Sequence, residues 1–103
     1  MAWHAVAKAE DVGEGQVRAT SAAETMIALY KIGGTYYATS NYCTHAIALL
    51  SDGYLEGDCI ECPVHAALFH VPTGEARTEP ATEPLQTFPV RVEGEMLMVE
   101  IGE

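Results

Sequence analysis

Two short stretches of the chain carry the thiol and imidazole side chains that bind transition metals. The first is Cys43-Thr44-His45 and the second is Cys62-Pro63-Val64-His65. Each stretch offers one cysteine and one histidine, so together they make a four-ligand site. A single zinc ion would be satisfied by two sulfurs and two nitrogens in a tetrahedron. A cluster of two irons and two sulfides would instead take both cysteines on one iron and both histidines on the other.

The spacing within the stretches suits a cluster shared by two loops. Residues two apart on an extended loop point the same way, so Cys43 and His45 can reach two neighbouring irons from one loop. Cys62 and His65 would do so from the other loop, and each iron would then take one ligand from each loop. This pattern favours a bound metal or cluster over four core residues that coincide by chance. Spacing alone leaves the choice between zinc and an iron–sulfur cluster open, although a one-residue gap is tight for a zinc finger.

Loops of this kind need strands to hold them, and the sequence predicts many short ones. Nine glycines and five prolines interrupt the chain at short intervals, which disfavours long helices. Met26–Ile32 and Thr35–Thr39 are rich in β-formers and flank Gly33-Gly34, a dipeptide typical of a hairpin turn. Thr87–Val92 and Met96–Ile101 form a second predicted hairpin. Period-two alternation predicts one apolar face on it, made of Val90, Val92, Leu97 and Val99. We therefore expect an all-β sandwich or partly open barrel.

Length and charge limit what such a protein does. The 103 residues suffice for one domain with one modest core. Fifteen acidic residues against five basic ones give a formal net charge of −10, which disfavours binding to nucleic acid or to anionic lipid. The apolar runs are too short to cross a membrane, and residues 1–10 do not resemble a secretory signal. With only three cysteines, we expect an intracellular, reduced, soluble protein without a disulfide framework.

Motifs over nearly the whole chain carry a family resemblance. They are Asn41-Tyr42-Cys43-Thr44-His45, Ser51–Gly57, Glu61–His65, Phe69, Thr73-Gly74 and Pro84–Val90. Together they resemble the Rieske-type ferredoxins of bacterial aromatic ring-hydroxylating dioxygenase systems. The resemblance implies a single Rieske domain over residues 1–103, in which a two-loop subdomain at about 41–74 binds the cluster. It also implies one Rieske [2Fe-2S] cluster per chain, whose ligands are Cys43, His45, Cys62 and His65.

The same resemblance implies a function. Members of this family are small cytoplasmic electron carriers with no catalysis of their own. An NAD(P)H-dependent flavin reductase reduces the ferredoxin, which passes single electrons to the terminal oxygenase. A monomer is expected.

Other functions compete with this one. An oxygenase with a mononuclear iron site needs two histidines and a carboxylate, and the only histidines left are His4 and His70, neither in a recognisable ligand motif. The small Rieske-like subunit of an assimilatory nitrite reductase shares the fold and is the alternative. A structural zinc module is distinguished by its lack of colour.

The sequence also supports predictions for several individual residues near the predicted site. Family members usually have glycine where this chain has Ala46 and Ala67, so the loops are expected to be slightly displaced or stiffer. We expect Cys59 to be a small buried hydrophobe, His70 a strand residue with one polar contact, and Met26 a core residue. An acidic run is either a solvated face or a docking surface for basic partners, and it comprises Asp52, Glu56, Asp58 and Glu61.

Overall fold

A computed structural model of the protein describes residues 2–44, 47–64, 66–78 and 83–102. Over those ranges the chain forms ten β-strands, two short 3-10 turns and no α-helix, so the predicted all-β class is confirmed. The strands are β1 (Ala2–Lys8), β2 (Val17–Ala22), β3 (Thr25–Ile32), β4 (Thr35–Ser40), β5 (Tyr54–Glu56), β6 (Cys59–Glu61), β7 (Leu68–His70), β8 (Thr87–Phe88), β9 (Val90–Glu93) and β10 (Met96–Ile101). The 3-10 turns are Ala9–Asp11 and Leu50–Asp52. In these ranges no helix is long and apolar enough to cross a membrane.

Three antiparallel sheets make up the fold. Their strand orders are β1-β10-β9, β2-β3-β4-β8 and β5-β6-β7. The third sheet lies within the segment at about 41–74 that the sequence predicts to bind a cluster. The limits of that segment, and of a single domain over residues 1–103, stay predictions.

The predicted turn between β3 and β4 is confirmed and has an additional support. Gly33 and Gly34 have φ of 58° and 80°, the left-handed values that a two-residue hairpin turn requires. Their backbone N–H groups both donate to the carboxylate of Glu14, with N···O distances of 2.7 and 2.8 Å. The side chain of Glu14, which is distant in sequence, thus stabilises this turn.

The β9–β10 hairpin is confirmed, but its predicted first strand, Thr87–Val92, is divided between β8, which pairs with β4, and β9. The predicted apolar face of the hairpin is only partly buried. Leu97 and Val99 are fully buried, and Val90 packs against them. Val92 pairs with Leu97 across the ladder, yet its side chain is 49% exposed. The prediction was wrong for Val92, because β9 is the edge strand of its sheet and the core beneath Leu97 does not reach it.

Strand β3 is buried on both faces and separates two apolar cores. Ile27 and Leu29 point into one core, and Ala28 and Tyr30 point into the other. We call the first the sheet core; its other members are Val12, Ala38, Phe88, Leu97, Val99 and Ile101. We call the second the loop core; its other members are Cys43, Leu50, Ile60, Cys62, Ala67, Phe69, Val71 and Leu85. Two of the predicted ligands therefore lie inside an apolar core.

Candidate metal centre

The predicted ligands lie in two loops, and each loop is closed by a backbone hydrogen bond of the same kind. The backbone N–H of Cys43 donates to the carbonyl of Ala48 at 3.0 Å, and that of Cys62 donates to the carbonyl of Ala67 at 2.8 Å. Each loop thus starts at a predicted cysteine ligand and is closed by a hydrogen bond from that same residue. The predicted histidine ligands, His45 and His65, and also Ala46, lie outside the described residues.

The first loop is held by a short antiparallel connection beyond β4. Tyr42 bridges to Leu49, and the N–H of Leu50 donates to the carbonyl of Asn41 at 2.8 Å. The Asn41 side chain is fully buried, where its amide donates to the Ser51 hydroxyl at 2.9 Å and accepts the Ser51 N–H at 2.8 Å. A buried amide with both ends satisfied specifies one arrangement, because any shift would leave a polar group unpaired. Asn41 and Ser51 stand in two of the quoted motifs, but only the structure shows that they contact each other.

The second loop connects β6 and β7 and packs against the turn before β5. Glu61 pairs with Leu68, so the loop begins and ends on neighbouring strands. A Cβ atom at Gly53 would overlap the carbonyl oxygen of Glu61, which makes glycine necessary where this turn meets the strand leading to Cys62. Within the loop, Ala66 has a φ of 56°. Ala67, at the second family glycine position, does not adopt the left-handed region that would favour glycine; the left-handed residue of this loop is Ala66.

The two cysteine thiols meet inside the loop core. Cys43 and Cys62 are both buried. Burial raises the pKa of the Cys62 thiol to about 11; the Val64 backbone N–H bonded to this sulfur opposes the rise, and the hydrogen-bonded Cys43 thiol adds to it. Neighbouring thiols from two loops fit the half of a Rieske cluster in which both cysteines bind one iron. Binding would displace their protons, because the thiolate is the metal ligand.

Cys59 lies away from this pair and is not the buried hydrophobe that was expected. It is half-buried, and its thiol donates to the Asp58 carboxylate at 3.6 Å. The reason is strand alternation: Ile60 points into the loop core, so its neighbour Cys59 faces outward. Burial and the adjacent Asp58 carboxylate raise the pKa of the Cys59 thiol.

His70 makes two polar contacts, whereas one was expected. Its Nε2 lies 2.9 Å from the Asp58 carboxylate, and its Nδ1 lies 2.8 Å from the Thr73 hydroxyl. The hydrogen bond from His70 lowers the pKa of the Asp58 carboxyl. These contacts join the turn before β6 to the turn after β7. In the described ranges, no group of three or more His, Cys, Asp or Glu side chains is arranged to hold a metal ion.

The acidic run lies mostly on the solvent side of the third sheet. Asp52, Glu56 and Asp58 are exposed and Glu61 is half-buried. Tyr54 pairs with Glu61 across the ladder and is 66% exposed, so an aromatic ring lies among these carboxylates. Sequence alone singled out the charges but not Tyr54, because the exposure of an aromatic residue in a strand depends on which face is covered.

The chain matches one protein family and several well-characterised relatives. Residues 2–89 match the family model described as the Rieske [2Fe-2S] domain, and the chain belongs to that family. It is 41% identical over 100 residues to the ferredoxin component of the naphthalene 1,2-dioxygenase system of Pseudomonas putida, covering 97% of this chain and 96% of the relative. It is 45% identical over 94 residues to the 3-phenylpropionate/cinnamic acid dioxygenase ferredoxin subunit of Shigella flexneri, covering 90% of this chain and 88% of the relative.

Solved structures agree with this assignment. A ferredoxin of Sphingomonas yanoikuyae B1 superposes with a TM-score of 0.92 at 32% identity, covering 96% of this chain and 98% of that one. A chain from the complex of reduced oxygenase and oxidized ferredoxin in carbazole 1,9a-dioxygenase gives 0.88 at 41% identity, covering 94% and 91%. The predicted Rieske fold and [2Fe-2S] cofactor are thereby confirmed. The chain is therefore an electron-carrying Rieske ferredoxin, similar to proteins that are named as ferredoxin components of dioxygenase systems.

Proposed function

We propose that Cys43 and Cys62 bind one iron of the [2Fe-2S] cluster, and that His45 and His65 bind the other. The observation that carries this assignment is the contact between two buried thiols from separate closed loops. The bound cluster supplies one-electron redox chemistry. This chain supplies the apolar surroundings of the loop core, the rigid loop closures, and the Val64 N–H directed at the Cys62 sulfur.

In this proposal the ferredoxin receives electrons from an NAD(P)H-dependent flavin reductase and delivers them singly to the terminal oxygenase of an aromatic ring-hydroxylating dioxygenase. It works as a cytoplasmic monomer. Relatives named as ferredoxin components of naphthalene and phenylpropionate dioxygenase systems support this route of electron transfer. The structure of a related ferredoxin chain, 41% identical to this one, was solved in complex with its oxygenase. This supports a terminal oxygenase as the electron acceptor.

The ligand assignment is tested by composition and spectrum. Purified protein is expected to contain about two irons and two acid-labile sulfides per chain, without stoichiometric zinc. His45→Ala and His65→Ala should each abolish the visible Rieske spectrum, while the matched controls His70→Ala and Cys59→Ala should keep it. A native spectrum in either ligand variant would show that the assignment is wrong.

The route is tested by reconstitution. The wild-type ferredoxin is mixed with NADH, a flavin reductase, and each of several terminal oxygenases, including that of a naphthalene dioxygenase system. Formation of the dihydroxylated product should require the ferredoxin and should stop in His65→Ala. If the holoprotein reduces no oxygenase in the panel, the proposed function is overturned.

A further inference from the structure

Large apolar side chains remain exposed beside the first ligand loop. In the described part of the chain, the exposed large hydrophobics are Tyr42 (54%), Ile47 (104%), Tyr54 (66%) and Val92 (49%). Ile47 lies in the first loop, and Tyr42 precedes its cysteine. Single exposed hydrophobic residues are ordinary, whereas large contiguous apolar patches mark interaction sites. These two residues are contiguous because both line one groove.

We call this feature the loop groove. It has a volume of about 480 Å³ and is lined by Met26, Tyr42, Ile47, Ala48, Leu49 and Asp52. Met26, which the sequence predicted to be a core residue, is half-buried and forms part of the groove wall. Five of the six lining residues are apolar or aromatic, so the groove fits an apolar side chain.

The walls of the groove are held by contacts that do not depend on a partner. Tyr42 bridges to Leu49, and the carbonyl of Ala48 accepts the N–H of Cys43. Asp52 follows Ser51, which the buried Asn41 amide holds through two hydrogen bonds. A preformed groove binds with little loss of conformational entropy. Because Cys43 is bonded to a wall residue, anything seated in the groove lies directly against the first ligand loop.

The negative charge around the loop groove indicates what kind of partner surface binds there. Asp52 is the charged residue of the lining, and the acidic run continues from it along β5 and β6. The sequence contains no lysine or arginine between Lys31 and Arg77. A partner surface with lysine or arginine next to its apolar side chain is therefore attracted, and an acidic partner surface is repelled.

We propose that the loop groove is a docking site for an apolar side chain flanked by lysine or arginine on the terminal oxygenase. This inference rests on the proposed function, which makes the oxygenase the electron acceptor. The oxygenase is the favoured occupant because the groove adjoins the ligand loop and because a related ferredoxin was solved bound to its oxygenase. A small apolar anchor with a charged rim suits a carrier that must dissociate after each transfer.

The test measures how much ferredoxin half-saturates oxygenase turnover, using the oxygenase that the wild type reduces fastest. Ile47→Ala and Tyr42→Ala should each raise that concentration about fivefold or more, with the maximal rate kept. The matched control is Val92→Ala, which truncates an exposed apolar side chain on β9 and should change nothing. The visible spectrum and the reduction potential of all three should match the wild type, which shows that the cluster is intact.

Charge variants at the same position test the chemistry of the partner. Ile47→Lys should weaken transfer to the oxygenase more than Ile47→Glu, because a cation would face the partner's cations. The proposal is overturned if Ile47→Ala behaves like Val92→Ala, if the two charge variants rank in the opposite order, or if only reduction by the reductase slows. In each of these cases the wild type still supports turnover, so the proposed function survives. Failure of the wild type itself overturns the proposed function instead.

Discussion

Cys43 and Cys62 share the loop core with side chains that bear on the reduction potential. Hydrogen bonds to the sulfurs of a cluster stabilise the added electron and raise its potential. The Val64 N–H is such a donor to Cys62. In respiratory Rieske proteins, hydroxyls two and four residues after the second ligand histidine supply two more. This chain has Ala67 and Phe69 there, both fully buried in the loop core, and neither side chain can donate.

We therefore predict a potential near the bottom of the Rieske range of about −150 to +300 mV. The net charge of −10 also lowers the reduction potential, because negative charge disfavours an added electron, although exposed carboxylates are largely screened. Ala67→Ser combined with Phe69→Tyr should raise the potential, and each single variant should raise it less. Protein-film voltammetry measures the change, and the visible spectrum checks that the cluster is kept. A wild-type potential well above zero would contradict the prediction.

Two neighbouring alanines in the second loop should respond oppositely to glycine. Ala66 is exposed with a φ of 56°, a conformation that costs an alanine about 1 kcal/mol relative to glycine. Ala66→Gly should thus stabilise the protein by about 1 kcal/mol. Ala67 is fully buried outside the left-handed region, so Ala67→Gly should destabilise it by about 1 kcal/mol, through the lost methyl group and the more flexible backbone. Denaturant midpoints of the holoproteins give both values, and shifts of the same sign would show that the loop geometry is wrong.

At the scale of elements, the β3–β4 hairpin depends on a carboxylate outside it. The N–H groups of Gly34 and Gly33 hold the pKa of Glu14 below its usual value of 4.5. A lowered carboxyl pKa contributes stability that is present above the usual value and is lost as the pH falls through the lowered value. The hairpin is therefore best supported at neutral pH.

Glu14→Gln should lower the unfolding midpoint at neutral pH, because an amide is a weaker acceptor than a carboxylate for the two glycine N–H groups. The difference between wild type and variant should narrow as the pH falls below 4.5, where the carboxyl of the unfolded chain begins to be protonated, and should be lost as the pH falls through the lowered pKa of folded Glu14. Thermal unfolding over this pH range measures it. Glu24→Gln, in the exposed turn between β2 and β3, is the matched control. A difference that does not depend on pH would contradict the role given to the carboxylate.

For the whole molecule, the acidic run predicts electrostatic steering of electron transfer. Transfer to the oxygenase should slow as salt rises, since exposed charges are screened over about 8–10 Å at physiological ionic strength. Neutralising Asp52, Glu56 and Glu61 together should slow association and flatten this salt dependence. The control removes the same number of charges elsewhere, at Glu10, Asp11 and Glu95. Stopped-flow rates of electron transfer at several salt concentrations are measured for both triple variants. If the two behave alike, the acidic run is a solvated face and not a docking surface.

The all-β class, the two hairpins and the family could be predicted from the sequence alone. These follow from local patterns: alternation along strands, a glycine pair at a turn, and cysteine–histidine spacing in two loops. The sequence also pointed to Cys43 and Cys62, which the structure brings together. The assignment of His45 and His65 stays a proposal, since both lie outside the described residues.

Which side chains are buried could not be predicted from the sequence and depends on how the sheets pack. Val92, Cys59 and Met26 read as core residues in the sequence, but the first lies on an edge strand and the second faces outward. Met26 instead lines the loop groove. The contacts of Glu14 with Gly33 and Gly34 were equally invisible, because they join distant parts of the chain. Periodicity defines the two faces of a strand, whereas burial depends on what packs against each face, and that is settled only when the sheets come together.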